Sequence, residues 1–585
     1  MGSVLRPSIT SYRDLFVTYL KPQWLRVMLM AVLLLTSIGL QLVNPQILRY
    51  FIDTVTSGGN LNPLLLAGAI FVAISLVNQA ISVWATYVSE NVAWTATNQL
   101  RTDLVAHCLG LDMAFHKART AGELIERIDG DVDTLSNFFS QSVIHLLGNG
   151  ILIVGIIVLL FSIDWRVGLA MGSFALLTLV GLTHLRGYAL GFWTADRQKD
   201  AEFFGFLGEQ LAGTEDVRAN GASSYVMQRF YLFIRQWLPL RRKADLSGYS
   251  MWMTMLLVFA IGNVLGLALG AYLWSTRSIT LGTVYLIFYY INLLNDPIDN
   301  IRVQLQQLQQ AGAGIERVKE LFQFQPTIND GNGQMLPQGA LAVAFCDVSF
   351  GYNHDDTILH HLSFDLQPGK VLGVLGRTGS GKTTLARLIL RLYDVQEGEV
   401  CIGGRSVQAL KLADLRQHIG MVTQDVQLFH ASVRDNLTLF NRAISDSHIL
   451  EALDDLGLSP WYRSLPEGLD TELGSDGEGL SAGEAQLLAF TRVFLTNPGL
   501  VILDEASSRL DPATEQLIER AVSKLLAGRT GIVIAHRLAT IQRADDIMVL
   551  ENGRIIEHGE RAALATDPAS RFYHLLQTGL EEVRA

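Results

Sequence analysis

The stretch that decides the fold runs from Val371 to Leu390 and reads VLGVLGRTGSGKTTLARLIL. An apolar segment, Val371 to Leu375, is followed by a glycine-rich turn and then by residues typical of a helix. The turn, Gly376 to Thr383, matches the pattern G-x-x-x-x-G-K-[ST] in the strand, loop and helix context that the pattern requires. The sequence therefore predicts a loop that binds the phosphate groups of a nucleotide.

Each residue type in this loop has a physical part in binding phosphate. Glycines let backbone N–H groups turn towards an anion, and the N-terminus of the following helix adds the positive end of its dipole. We expect Lys382 to reach the β- and γ-phosphates and the hydroxyl of Thr383 to bind Mg²⁺. The predicted nucleotide-binding residues of the loop are Gly376, Arg377, Thr378, Gly379, Ser380, Gly381, Lys382, Thr383 and Thr384.

A second motif lies downstream, where an apolar run, Leu500 to Leu503, ends in Asp504 and Glu505. Carboxylates at the end of a buried strand can hold Mg²⁺ and polarise the water that attacks a γ-phosphate. We expect Asp504 to bind the metal and Glu505 to act on the water. Two acids in this place could also cap a helix, so the motif gains its meaning from the phosphate loop before it.

Between these motifs, residues 479–495 read GLSAGEAQLLAFTRVFL. Here the chain resembles the nucleotide-binding domain of ATP-binding cassette (ABC) proteins, whose signature reads L-S-G-G-Q. The resemblance implies that this segment opens a helix whose N-terminus binds the γ-phosphate of ATP held by a second subunit. The residues in the signature place are Leu480, Ser481, Ala482, Gly483 and Glu484.

Further elements of the resemblance follow in the family's order. It implies that Tyr352 stacks on adenine and that Ser508 and Asp511 lie in the loop through which two ATP sites communicate. It also implies ATP and Mg²⁺ as cofactors of an α/β P-loop NTPase domain that hydrolyses ATP. The catalytic residues would be Glu505, His536 and Gln424, and the metal would be held by Thr383, Gln424 and Asp504.

The first half of the chain has the composition of a membrane domain. Of the 585 residues 49% are hydrophobic and 17% charged, and mean hydropathy is +0.27, which is too apolar for a wholly soluble protein of this size. Apolar runs predict six transmembrane helices, at Trp24–Ile52, Leu61–Val88, Val143–Phe161, Val167–Leu185, Met251–Trp274 and Ile279–Leu294. The net charge of −11 argues against a general nucleic-acid binder.

Lysine and arginine residues concentrate before the first span, between the second and third spans and between the fourth and fifth. The positive-inside tendency therefore predicts that the N-terminus and the nucleotide-binding domain are cytoplasmic, in a multi-pass protein of the plasma (inner) membrane. We expect a transmembrane domain with coupling loops over residues 1–325, a linker over 326–340 and the nucleotide-binding domain over 341–585.

The membrane half supports the same family. Residues 115–135 and 211–230 resemble the cytoplasmic coupling loops of exporter-type ABC half-transporters. The resemblance implies a polytopic α-helical domain of exporter type that, with a second half-transporter in a lipid bilayer, exports a small hydrophobic or amphipathic substrate by alternating access. Two alternatives on the same fold stay open, a siderophore-like importer and an ATP-gated channel or regulatory protein.

Two departures from the family pattern bear on the partner. The signature has Ala482 where the family has Gly and Glu484 where it has Gln, whereas Glu505 is intact. In heterodimeric exporters, the chain that supplies the catalytic glutamate often supplies an altered signature as well. We therefore expect a heterodimer rather than a homodimer.

Overall fold

The computed structural model describes residues 12–353, 356–474, 480–504, 512–534 and 541–584. Its backbone contacts divide the chain into two units, Met1–Gly110 with Thr120–Gln325 and Leu111–Arg119 with Pro326–Ala585. The short segment Leu111–Arg119 thus groups with the second unit, although it lies within the range that the sequence assigns to the membrane domain. The expected domain boundaries stay predictions, because these units are defined by contacts alone.

The first unit is helical. Together with α4 of the second unit, its helices are α1 (Tyr12–Tyr19), α2 (Trp24–Thr56), α3 (Leu61–Leu109), α4 (Met113–Lys117), α5 (Ala121–Ile125), α6 (Asp131–Asn137), α7 (Val143–Ile163), α8 (Trp165–Ala212), α9 (Thr214–Ala219), α10 (Ser223–Ser275), α11 (Leu281–Leu293) and α12 (Asn295–Gln323). Two π-helical turns, Glu126–Gly130 and Phe138–Ser142, join α5, α6 and α7 without a break.

Within the described residues, four helical segments are long and apolar enough to cross a bilayer, namely Lys21–Thr56, Leu61–Leu109, Leu146–Ile163 and Ser223–Ser275. The other two predicted spans also fall on helices. The apolar part of α8 is shorter, at Trp165–Gly181, and the predicted sixth span coincides with α11. Large apolar side chains such as Leu76, Leu177 and Val264 are more than 60% exposed, as expected of a surface that faces lipid.

A row of glycines lets α10 approach its neighbours closely. Gly262, Gly266 and Gly270 are spaced four residues apart and therefore lie on one face of the helix. A Cβ atom on Gly262 would lie 2.5 Å from the ring of Phe174 on α8, and one on Gly266 would lie 2.0 Å from Cδ1 of Ile291 on α11. Small residues at such crossings are the usual means by which membrane helices pack, because hydrophobic burial drives little association in lipid.

Replacing Gly266 with valine is expected to destabilise this packing by about 1 to 3 kcal/mol, because the new side chain overlaps Ile291. Gly248→Val in the same helix is the matched control, since a Cβ there meets nothing within 4 Å. Thermal unfolding of both variants in lipid nanodiscs, followed by circular dichroism, measures the difference. Equal unfolding temperatures for the two variants would contradict the close approach.

The second unit contains two sheets. One is mixed, with the order β10-β9-β3-β8-β7-β6, and the other is antiparallel, with the order β2-β1-β4-β5. The strands are β1 (Val343–Asn353), β2 (Asp356–Leu366), β3 (Val371–Gly376), β4 (Glu397–Ile402), β5 (Arg405–Ser406), β6 (Ile419–Val422), β7 (Leu500–Asp504), β8 (Thr530–Ile534), β9 (Asp546–Glu551) and β10 (Arg554–Glu560).

Helices surround these sheets. They are α13 (Lys382–Ile389), α14 (Leu412–His418), α15 (Val433–Thr438), α16 (Asp446–Asp455), α17 (Ser459–Ser464), α18 (Ala482–Thr496), α19 (Pro512–Leu526), α20 (Arg561–Thr566) and α21 (Arg571–Arg584).

The larger sheet determines where a ligand can bind. Its strands β9, β3, β8, β7 and β6 are parallel, and only β10 at the edge runs the other way. Strands β7 and β8 are buried along their whole length, which explains their unbroken apolar sequences. In a parallel sheet the carboxyl ends of the strands share one edge, and ligands bind there.

Candidate nucleotide-binding site

The phosphate loop leaves β3 near the middle of the larger sheet and ends at the start of α13. Gly376, Gly379 and Gly381 have φ angles of +154°, +84° and +104°, a range that side-chain-bearing residues rarely adopt. A Cβ on Gly376 would also lie 2.3 Å from the carbonyl oxygen of Leu550 on the neighbouring strand β9. Glycine is therefore required both by backbone conformation and by the close approach of a strand.

Lys382 is folded back over this loop. Its side chain is 5% exposed, and Nζ donates hydrogen bonds to the carbonyl oxygens of Gly376, at 2.7 Å, and Arg377, at 3.1 Å. The hydroxyl of Ser380 is buried and has no hydrogen-bond partner among the described residues. A buried ammonium group and an unpaired hydroxyl beside the N-terminus of a helix form a site that favours an anion such as phosphate.

Two more predicted residues come to the same edge of the sheet. Asp504 is the last residue of β7 and is 6% exposed. The strand register aligns it with Ile534 on β8, which pairs in turn with Val374 on β3, so it lies two strands from the phosphate loop, or about 10 Å. Gln424 follows the next strand, β6, by two residues and is exposed.

Tyr352 lies near the end of β1 and is fixed by α13. Its hydroxyl is 3.2 Å from Oγ1 of Thr384 and accepts a hydrogen bond from Arg387 at 2.8 Å. The ring packs edge-on against Phe350 and Tyr393 at centroid distances of 5.2 and 5.1 Å. Burial, with a smaller contribution from Tyr352, raises the pKa of Tyr393, so this neighbour stays neutral. The phosphate loop and the predicted adenine-stacking ring are therefore held together by one helix.

A lysine from α4 lies over the same ring. Nζ of Lys117 is 3.9 Å from the centroid of Tyr352, within the range of a cation–π contact. The two residues are 235 positions apart and belong to the same unit. A base stacked on this face of Tyr352 would have to displace the ammonium group. This contact cannot be predicted from the sequence, because Lys117 lies in a segment that resembles a coupling loop and is 235 residues away from Tyr352.

The signature residues begin α18. Ser481 is the N-cap, and Leu480, Ala482, Gly483 and Glu484 flank it or form the first turn. Oγ of Ser481 accepts a hydrogen bond from the backbone N–H of Glu484 at 3.2 Å, and the Glu484 carboxylate accepts one from the N–H of Ser481 at 2.7 Å. This reciprocal pair is a capping box, and it holds a negative charge at the N-terminus of the helix.

One residue that the sequence did not single out ties the signature helix to the loop after β6. Arg492 on α18 donates hydrogen bonds to the carbonyl oxygens of Asn436 at 2.6 Å and of Gln427 at 2.8 Å. The Asn436 amide, which is fully buried, also bonds the backbone of Phe429, Ala431 and Ser432. Burial lowers the pKa of Arg492, which nonetheless stays charged because arginine titrates far above neutral pH. The sequence contains one sign of this role, since Arg492 is a charged residue within the otherwise mostly apolar run FTRVFL.

Four predicted site residues lie outside the described residues, namely Glu505, Ser508, Asp511 and His536. Their expected roles stay predictions. The structure brings together the phosphate loop, Tyr352 and Asp504 in one unit, whereas the signature residues lie at the start of a separate helix in the same unit.

Comparisons with known proteins agree with this arrangement. Family models match residues 359–508 (ABC transporter) and 27–298 (ABC transporter transmembrane region). The ABC transporter ATP-binding protein YknV of Bacillus subtilis is 30% identical over 94% of this chain and 91% of its own. An ATP-dependent lipid A-core flippase of Saccharophagus degradans is 29% identical over 90% of each chain. The structure of a bacterial Atm1-family ABC exporter with ATP bound superposes with a TM-score of 0.77 at 27% identity, over 92% of this chain and 96% of that one.

These matches extend over both halves of the chain, and they favour export over the importer and channel alternatives. An N-terminal transmembrane domain is followed by an ATP-hydrolysing α/β domain, as the sequence predicted. Half-transporters of this kind dimerise and handle hydrophobic substrates in a membrane that they cross several times. The chain therefore belongs to the ABC transporter family, as an ATP-driven exporter half-transporter.

Proposed function

We propose that this chain supplies one half of a heterodimeric exporter that moves an amphipathic substrate out of the cytoplasm across the plasma (inner) membrane. The observation that carries the ATP-driven step of this proposal is the position of Lys382 and Asp504 at one edge of one sheet, beside a loop shaped for phosphate. Lys382 neutralises the β- and γ-phosphates, Tyr352 stacks on adenine, and Glu505 polarises the attacking water with His536 and Gln424 in support. Ser508 and Asp511 link the two ATP sites.

Mg²⁺ fits the residues of this site. The hydroxyl of Thr383, the carboxylate of Asp504 and the amide of Gln424 offer the hard oxygen donors that Mg²⁺ prefers. Bound there with ATP, the ion would neutralise charge that develops on the β- and γ-phosphate oxygens. We propose these three residues as its protein ligands.

The proposed transport cycle is alternating access. Two nucleotide-binding domains close over two ATP molecules, each held between the phosphate loop of one chain and the signature of the other. Closure moves the coupling loops and turns the spans outward, and hydrolysis resets the dimer. ATP drives this change only through its higher affinity for the closed state, so every contact that it makes across the dimer matters to transport.

The proposal of a heterodimer rests on the first turn of α18. A γ-phosphate held by the partner would approach the N-terminus of this helix, where the dipole is positive. The Glu484 carboxylate occupies this end and accepts the N–H of Ser481 at 2.7 Å, so it opposes a second anion. An ATP site that pairs the phosphate loop of this chain with the same altered signature would close weakly. A partner with an uncharged signature would give this chain a site that closes fully.

Replacing Glu484 with glutamine is expected to raise the ATPase rate of this chain purified alone by roughly tenfold. A glutamine oxygen keeps the cap to Ser481 and removes the charge, and a charge at a partly buried helix end is worth about 1 to 2 kcal/mol. The measurement is ATP turnover by the full-length chain in lipid nanodiscs at saturating Mg²⁺-ATP.

Glu451→Gln provides the matched control, because this acid is exposed on α16 and belongs to no predicted site. It should leave turnover unchanged. If the wild-type chain alone already hydrolyses ATP as fast as Glu484→Gln, the charge is no obstacle and the heterodimer proposal fails. The direction of transport is measured separately, as ATP-dependent uptake of a fluorescent amphipathic amine by inside-out vesicles.

A further inference from the structure

A pocket with both polar and apolar walls lies between helices α2, α3 and α7 of the first unit. Its volume is about 280 Å³, many times the space that one water needs, so it is no mere packing defect. Its lining is unusual for a membrane domain because hydroxyl and amide groups outnumber apolar side chains. The apolar part is formed mainly by Leu34, Ile38 and Leu152.

The polar wall is built and held in place by its own hydrogen bonds. Ser37, which is 6% exposed, donates to Oδ1 of Asn78 at 2.9 Å and accepts from Nε2 of Gln41 at 3.2 Å. Ser89 on α3 is 2% exposed and donates a hydrogen bond to the carbonyl oxygen of Ser140. Ser140 lies in the π-helical turn that leads into α7. Such bonds between membrane helices fix the shape of the pocket before any ligand arrives.

Two buried polar atoms in the lining have no hydrogen-bond partner among the described residues. They are Oγ of Ser140, a residue that is 3% exposed, and Nδ2 of Asn149. Leaving a buried donor or acceptor unpaired costs about 1 to 3 kcal/mol, and in a site that recognises a ligand these are the groups that a ligand satisfies. Both point to a molecule with a hydroxyl or carbonyl group.

Glu90 is the acidic residue among the lining residues that the structure describes. None of the described lysine, arginine or histidine side chains forms an ion pair with it. It lies about 44 Å along α3 from Leu61, beyond the roughly 30 Å of hydrocarbon. One residue further on, Asn91 meets Arg26 at 3.5 Å near the start of α2. The carboxylate therefore lies near the membrane interface, just beyond the apolar part of α3. The apolar lining residues extend from it towards the membrane interior.

We propose that this pocket binds the head of an amphipathic amine that also carries a hydroxyl or carbonyl group. Glu90 receives the ammonium group, Ser140 and Asn149 pair with the oxygen, and Leu34, Ile38 and Leu152 contact the start of the alkyl chain. The carboxylate excludes anionic heads. The inference rests on the proposed export of amphipathic substrates, and it narrows their class to cations.

The test uses N-dodecylethanolamine as the probe and its neutral analogue, dodecanoyl ethanolamide, as the matched ligand. Binding to the full-length chain in nanodiscs is measured by equilibrium dialysis without ATP, and binding to empty nanodiscs is subtracted. We expect saturable binding of the amine, weakened about tenfold or more by Glu90→Gln, and weaker binding of the amide that this variant does not change. Glu209→Gln, an exposed acid on α8, should bind the amine like the wild type.

The proposal is overturned if the wild type and Glu90→Gln bind the amine with equal affinity. It is also overturned if the wild type binds the amine and the amide with equal affinity. A second measurement needs no variant. It follows the rate at which a carbodiimide labels Glu90 in the wild-type chain. The amine should slow this labelling, and the amide should not. Because neither measurement needs turnover, binding without ATP-driven uptake would refute export alone. If ATP-driven uptake is observed but binding of the amine does not depend on Glu90, the pocket proposal alone is refuted.

Discussion

Replacing Lys382 with methionine is expected to weaken ATP binding by about 10²- to 10⁴-fold and to abolish turnover. Methionine has a similar length and no charge, so the substitution removes the ammonium group while largely filling its space. In the structure the residue is 5% exposed, and the carbonyl oxygens of Gly376 and Arg377 hold its ammonium group over the phosphate loop. It is thus already in place for the phosphates, and two charge-assisted hydrogen bonds of about 1.5 to 3 kcal/mol each would be lost.

Equilibrium binding of a fluorescent ATP analogue to the full-length chain in nanodiscs measures this effect. Lys411→Met is the control, because this lysine is exposed, immediately precedes α14 and belongs to no predicted site. An unchanged affinity in Lys382→Met would mean that the loop backbone alone binds the phosphates. It would also make the assignment of Lys382 wrong.

The phosphate loop could be predicted from sequence because its requirements are local. Glycines with positive φ, a lysine and a preceding apolar strand follow one another within about a dozen residues, so the pattern contains most of the geometry. The signature helix could be placed for the same reason. Its capping box joins Ser481 and Glu484, three residues apart, although only the structure shows that the Glu484 carboxylate turns back onto the Ser481 N–H.

Contacts between distant parts of the chain could not be predicted. Lys117 reaches Tyr352 only because α4 packs with the second unit, and Arg492 bonds Asn436 only because α15 and α18 are neighbours. Within the membrane, apolar runs identified the spans, but every lipid-facing and buried position looks alike in such a run. The pocket around Glu90 and the close approach of Gly266 to Ile291 therefore depend on three-dimensional packing that composition does not encode.

Replacing Glu505 with glutamine is expected to separate binding from chemistry in a way that Lys382→Met cannot. In the sequence Glu505 directly follows Asp504, the buried last residue of β7, and Asp504 lies at the edge of the sheet that carries the phosphate loop. Glutamine keeps the shape of the side chain but cannot polarise or deprotonate the attacking water. Turnover should therefore fall by about 10²- to 10⁴-fold, while ATP affinity stays near that of the wild type.

Turnover and ATP binding are measured on the same nanodisc samples. The reference chain and the Glu505→Gln chain both carry Glu484→Gln, so that the reference hydrolyses ATP. Glu519→Gln, on the exposed side of α19, serves as the control and should change neither quantity. If the Glu505→Gln chain binds ATP and still turns it over, the water is activated by another group, and Asp504 could then not be assigned to the metal alone. If it loses binding as well, Glu505 is needed to shape the site, and its role is structural before it is chemical.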